Sequence, residues 1–220
     1  MEKEMIERVV KMPLEAGNWS RVLVGGILAI FPIINFLSMG YCVEVMERTS
    51  RSHYEMPAWD GWSGKFLKGL GISVVGFAYM IVPALLLSAT GLWSSVSAQT
   101  VATGFDPIGI AGMGTAALIS VILFMILAFL IPMAVAKFAA TGDFVAAFRF
   151  GEIVRHIAAA PASYITTFVF AIALYALVSL LNAVPYLGWI LAVFAYFYVT
   201  VVVAALFGVV YQKSLAGTNH

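Results

Sequence analysis

His53, His156 and His220 are the histidines of this chain, and Cys42 is its single cysteine. These residue types hold transition metals and carry nucleophilic or acid–base chemistry, so their spacing decides what chemistry is available. A zinc site gathers His, Cys or carboxylate ligands, usually as closely spaced pairs. No histidine here has another at i+4 or a cysteine nearby, which predicts no metal centre. A lone cysteine forms no intrachain disulfide and no thiolate cluster, and Cys42 reads as a small core residue. No Gly-x-Ser-x-Gly elbow is present, and Gly61-Trp62-Ser63-Gly64-Lys65 lacks the spacing of a phosphate-binding loop. Gly109, Gly112 and Gly114 reverse the dinucleotide fingerprint and lead straight into an apolar run with no preceding strand. Glu55, Asp60 and Glu152 remain as surface acids, and each reads as a solvated charge or a helix cap. The expectation is a protein that is not an enzyme, with no catalytic, cofactor-binding or metal-binding residue.

The elements that would position any site are apolar. Of the 220 residues, 62% are hydrophobic and 10% are charged, against about 25% charged in an average soluble domain. That composition predicts an integral membrane protein. Net charge is +1, so nothing draws the chain toward nucleic acid. Met1–Lys11 alternates charged and apolar residues without the apolar core of a cleavable signal. A crossing helix needs ~20 mainly apolar residues. Four spans satisfy this, at 71–90, 115–136, 163–181 and 187–210, and none contains Asp, Glu, Lys, Arg or His. Ionisable groups inside a bundle usually mark ion or proton paths. Here the polar candidates are neutral: Asn35, Asn182, Tyr79, Tyr175 and Tyr198.

Basic residues set the orientation, because Lys and Arg favour the cytoplasmic side of short loops. Lys137, Arg149, Arg155 and Lys213 put one set of span ends inside, whereas 91–114 and the turn at 182–186 carry no Lys or Arg and read as outside. The apolar run 21–47 has basic residues at both ends: Lys3, Arg8, Lys11 and Arg21 before it, Arg48, Arg51, Lys65 and Lys68 after it. As one helix it would be ~40 Å long, too short to cross twice. Two helices, Val22–Phe31 and Phe36–Glu47, fit instead, turning back at Pro32–Asn35. Pro32 removes a backbone donor and Asn35 offers a local cap. The alternative is a single kinked span. The expected topology is a re-entrant hairpin with both termini cytoplasmic.

Trp59, Trp62, Phe66 and Leu70 recur on one helical face, which predicts an interfacial amphipathic helix over 59–70 with Asp60, Ser63, Lys65 and Lys68 elsewhere. A second is expected over 143–157, capped by Asp143, with Phe144, Phe148 and Val154 inward and Arg149, Glu152 and His156 outward. The segment 1–18 reads as a third amphipathic stretch. Around the second turn, Val184-Pro185-Tyr186-Leu187 echoes Phe31-Pro32-Ile33-Ile34, and each is followed by an apolar helix.

One ordered string spans the first part of the chain: Gly25-Gly26, Pro32-Ile33-Ile34-Asn35, Gly40-Tyr41, then Met56-Pro57-Ala58-Trp59-Asp60-Gly61-Trp62. It resembles the prokaryotic membrane-protein family called domain of unknown function 4013, best over Asn18–Pro83. The resemblance implies an architecture and a bacterial or archaeal inner membrane, and it supplies no catalytic residue. Physically, Gly25, Gly26 and Gly40 would let helices approach closely, and Asp60 would suit a helix N-terminus.

The fold expected is all-α: a single polytopic membrane bundle of four spans, a Pro/Asn hairpin and cytoplasmic surface helices. The function expected is a non-catalytic organising or interaction subunit, with membrane lipid and other membrane proteins or itself as partners. The alternative is a permease or channel for a neutral or lipid-like solute. Candidate structural or interaction residues are Gly25, Gly26, Pro32, Asn35, Gly40, Tyr41, Pro57, Trp59, Asp60, Trp62, Asn182 and Pro185.

Overall fold

The computed structural model describes residues 2–15, 17–89 and 115–218, and they contain helices and no strand. In chain order the α-helices are α1 (Glu2–Lys11), α2 (Trp19–Ala29), α3 (Asn35–Ser50), α4 (Trp62–Ala89), α5 (Thr115–Thr141), α6 (Phe150–Ala159), α7 (Pro161–Ser179) and α8 (Leu187–Thr218). Short 3₁₀ turns follow α1 at Met12–Leu14, precede α6 at Phe144–Phe148 and follow α7 at Leu180–Ala183. Among the described residues, four stretches are long and apolar enough to cross a membrane: Trp62–Ser88, Leu118–Thr141, Pro161–Ala183 and Leu187–Gly217. The expected loop at 91–114, with Gly109, Gly112 and Gly114, lies outside the described residues, as do Thr90 and His220.

The chain divides into two compact units, Met1–Ser73 with Pro132–His220, and Val74–Ile131. In the smaller unit, Val75 and Tyr79 are buried, while Phe77, Val82, Leu85, Ile122 and Met125 are exposed. Large apolar side chains turned outward suit a helix whose solvent is hydrocarbon. Ser120 Oγ donates 2.6 Å to the carbonyl of Pro83, linking the two helices of this unit.

In the larger unit α8 is the central post. It packs against α1, α2, α3, α6 and α7, and Val199, Val201, Val202, Ala205, Phe207 and Val210 are buried on it. Its first turn differs, with Leu187, Trp189, Ile190 and Leu191 exposed. Tyr41 meets Phe197 at 5.9 Å, and a Cβ on Gly208 would strike Thr49 and Met46. These two contacts place α3 alongside α8, running the same way. The chain reverses before α3: Ser38 Oγ donates 2.8 Å to Gly25 O, so α2 and α3 form a helical hairpin.

The turn of that hairpin is closed by backbone groups. Asn35 N–H donates to Phe31 O at 2.7 Å and Leu37 N–H to Ile34 O at 2.9 Å. The expected capping by Asn35 is corrected: it is the first residue of α3, and no side chain caps that end. Pro32 brings no N–H of its own, and Phe31 O accepts from Asn35 to close the loop.

Both expected surface helices differ from the sequence reading. The expected surface helix 59–70 is not separate, because α4 begins at Trp62 and runs unbroken into the apolar stretch. Gly61 precedes it at φ +57, a left-handed backbone that glycine adopts at no steric cost, so Trp59 and Asp60 belong to the incoming loop. The segment 143–157 is split at Arg149, which sits between the 3₁₀ turn and α6. Its facing is corrected too: Ile153 and His156 are buried, and Val154 is 52% exposed. Packing of α6 on α8 selected the face that carries His156 rather than the more apolar one.

Candidate functional site

The loop that enters α4 folds back onto the hairpin and threads its signature residues together. Tyr41 Oη donates 2.9 Å to Pro57 O, and its ring stacks on Trp59 with centroids 4.3 Å apart. Trp59 Nε1 donates 3.0 Å to Arg21 O, and its ring lies 5.7 Å from that of Trp62. Arg21 Nη1 in turn donates 2.7 Å to Met56 O and 3.0 Å to Asn18 Oδ1. Asn18 closes the set by donating 2.7 Å to Met12 O. Residues spread from Met12 to Trp62 thus form one continuous hydrogen-bonded and stacked cluster. Every polar head in it serves a neighbouring backbone carbonyl that would otherwise be costly to bury.

Beneath this cluster, α3 and α4 cross through two glycines. A Cβ on Gly40 would strike the carbonyl of Lys65, and one on Gly69 would strike the carbonyl of Phe36. The contact is reciprocal, since each glycine rests on the carbonyl four residues earlier in the other helix. Small residues permit such backbone approach in lipid, and the geometry suits weak Cα–H···O contacts. Gly40 therefore works with Gly69. It does not face Gly25 and Gly26 across the hairpin as expected; those two meet the rings of Phe197 and Phe194 on α8.

The crossing carries a charged network that the sequence reading placed at the surface. Lys65 has a side chain only 3% exposed, and its ammonium sits 2.8 Å from Glu44. It also donates 2.7 Å to Asp60 O, with Asp60 Oδ1 at 3.4 Å. The second Glu44 oxygen takes Arg48 at 3.0 Å. One turn on, Glu47 holds Lys68 at 2.6 Å and Arg51 at 2.9 Å. Asp60, expected at a helix start, instead precedes Gly61 and holds Lys65. The signal that could have flagged Lys65 is its i−4 relation to Gly69, but it shows only once α3 is known to lie there.

A second polar group lies where α5, α6 and α8 meet. Lys137, buried, pairs with Glu152, and the ammonium's hydrogen bond holds the Glu152 carboxyl below its ordinary range. His156 Nδ1 lies 3.0 Å from Ser214 Oγ. Ser214 donates 2.6 Å to Tyr211 O, an arrangement that suits Nδ1–H donating to the serine oxygen. Burial lowers the His156 pKa from the ordinary 6.5, and the sign follows. With the folded value below the unfolded one, the unfolded chain binds more protons between them. This contribution to stability is complete above 6.5 and is lost as pH falls through the folded value. Unfolding midpoints in detergent should therefore drop as pH is lowered below about 6.5, and His156→Gln should flatten that slope; an unchanged slope would contradict it.

Asn182 and Pro185 lie at the other turn. Asn182 Nδ2 donates 3.2 Å to Tyr196 Oη, and Trp189 Nε1 donates 3.3 Å to Asn182 O. Leu187 N–H donates 2.7 Å to Pro185 O. Asn182 joins α7 to α8. Tyr175 and Tyr198 are likewise engaged, with Thr200 at 3.1 Å and Val10 O at 2.8 Å.

Between the hairpin and α8 lies a cavity of about 360 Å³, with Asn35, Ser38, Met39 and Cys42 on one wall and Tyr196 and Thr200 on the other. No charged side chain lines it. Among the described residues, no group of three or more His, Cys, Asp or Glu could hold a metal ion.

Fold and site together define a multi-pass helical membrane protein whose signature residues knit a hairpin to the loop that follows it. The family model described as "Protein of unknown function (DUF4013)" matches residues 23–187; the chain belongs to that family. Comparison with curated proteins and with solved structures gives no match.

Proposed function

We propose that the protein is a non-catalytic organising subunit of a prokaryotic inner membrane, holding lipid or a partner membrane protein against its apolar surface. The observation that carries this reading is the use of the signature itself. Tyr41, Trp59, Arg21 and Lys65 are all spent on internal contacts, which build a rigid frame. Around that frame, Trp19, Leu23, Ile27, Ile30, Phe31 and Ile33 of the hairpin are exposed. An apolar surface of this kind marks contact with lipid or protein. In this reading the hairpin enters the bilayer from the cytoplasmic side and returns, the loop that enters α4 and helix α6 lie near that side, and both termini are cytoplasmic.

Cysteine labelling in intact cells tests the topology. In a Cys42→Ser background, Lys3→Cys and Ser52→Cys should both resist a membrane-impermeant maleimide, whereas Ala183→Cys should react. Opposite behaviour at positions 3 and 52 would mean a single crossing and overturn the hairpin.

The cavity favours a second reading, a pathway for a neutral or lipid-like solute. Flux through reconstituted liposomes that is lost on Asn35→Leu would select it and reject the organising role. A partner that co-purifies with the protein and is lost on Trp59→Ala with Trp62→Ala would select the first.

A further inference from the structure

We infer that the cavity between the hairpin and α8 is a binding site for one acyl chain of an outward-leaflet phospholipid, with the ester carbonyl held by Asn35. The volume, about 360 Å³, falls within the ~300–1,000 Å³ of ligand pockets. Ala29, Ile30, Asn35 and Val193 make one end, and Cys42 and Thr200 the other.

The Asn35 amide is half-buried and makes no hydrogen bond among the described residues. Of the other polar groups in the lining, Ser38 donates to Gly25 O and Thr200 to Tyr196 O, while the Tyr196 hydroxyl accepts from Asn182. An unpartnered amide in a mainly apolar, uncharged cavity matches the carbonyl at the head of a hydrocarbon chain, with the Tyr196 hydroxyl as a second donor in the same lining. A charged ligand would find no counter-ion there.

Depth and access agree with this occupant. Val193 lies six residues into α8, or ~9 Å along its axis, and Thr200 lies ~10 Å further. In the proposed topology the start of α8 faces outward, so Asn35, in the lining with Val193, lies in the upper part of the outward leaflet, a little below its ester groups. The chain would point from there toward the membrane centre. Around that end Ile27, Ile30, Ile34 and Ile190 are exposed, so hydrocarbon is what meets the opening. The site rests on the proposed topology for the choice of leaflet.

The test is photolabelling. The full chain is reconstituted in phosphatidylethanolamine and phosphatidylglycerol liposomes with a trace of phosphatidylcholine carrying a diazirine near the end of one acyl chain. After irradiation, adducts are mapped by mass spectrometry. Adducts should concentrate on Met39–Cys42 and Val193–Thr200. Ala29→Phe, which fills the cavity, should lower them about tenfold while leaving adducts at Val169 and Ile172, exposed on α7, unchanged. Val193→Phe fills the cavity from the opposite wall and should act alike, so failure of one variant to fold leaves the other to decide. Adducts spread evenly over exposed apolar residues, or untouched by both substitutions, would overturn the site. Concentrated adducts together with opposite labelling of positions 3 and 52 would keep the site and discard the topology. Even adducts with the expected labelling would do the reverse.

Discussion

Gly40→Ala and Gly69→Ala should each lower the thermal midpoint of the purified protein by roughly 10 °C, at ~2–4 °C per kcal/mol for a chain of this size. The added methyl of Gly40→Ala would meet the Lys65 carbonyl, with Gly69 N close behind at 3.0 Å. A flexible side chain could swing aside, but a backbone carbonyl in mid-helix moves only with its helix. The two helices must then part. Parting them strains the contact of Phe36 with Phe66 at 5.6 Å, the Ser73 hydroxyl on Met39 Sδ at 3.4 Å, and the ion pair of Lys65 with Glu44. Overpacking alone costs ~1–3 kcal/mol, and the lost contacts carry the total to the upper end or beyond. Gly64 is the control on the same helix. A Cβ there meets nothing within 4 Å, so Gly64→Ala should be neutral or gain the ~0.5–1 kcal/mol that alanine has over glycine in a helix. Thermal unfolding in detergent, followed by tryptophan fluorescence, measures all three. Equal midpoints for Gly40→Ala and Gly64→Ala would show that the crossing is looser than described.

The second large effect is expected at Lys65. Removing one partner of a buried ion pair costs ~3–5 kcal/mol, because the other charge is left without compensation. Arg48 remains on Glu44, so Lys65→Met should fall near the lower bound, at about 3 kcal/mol. The Asp60 carbonyl also loses its donor. Lys68→Met is the comparison. Its pair with Glu47 is equally short, but the lysine side chain is 38% exposed and Glu47 keeps Arg51, so the cost should be ~0–1 kcal/mol. Glu44→Gln combined with Lys65→Met should recover part of the loss, since removing both partners spares the orphaned charge. A double-mutant cycle reads that coupling directly. If the two lysine variants unfold alike, Lys65 is solvated and the network is superficial.

Much of the architecture was legible in the residues. Uncharged runs of crossing length located all four spans, because hydrocarbon tolerates no unpaired ionisable group and the pattern needs no partner to be read. The break around Pro32 was legible from proline's missing donor together with Asn35 and the basic residues at both ends of the run, whereas Pro83 and Pro132 sit inside unbroken helices. The pairing of Tyr41 with Trp59, and of Trp59 with Arg21, was not. Those residues are distant in sequence, and their shared string showed only that they belong to one family pattern. The facing of α6 was misread because periodicity weighs hydrophobicity alone, whereas Ser214 offered His156 a buried hydrogen bond.

By itself, then, the sequence determined the apolar character of this protein's long helices, the position of each and the place where the first apolar run breaks. Each follows from local composition and backbone chemistry. Only the tertiary structure decided that Gly40 answers Gly69 rather than Gly25, that Lys65 is buried while Lys68 is not, and that a cavity opens beside Asn35. Those outcomes depend on which helix faces lie together, and contact between faces is a property of two segments that neither carries alone.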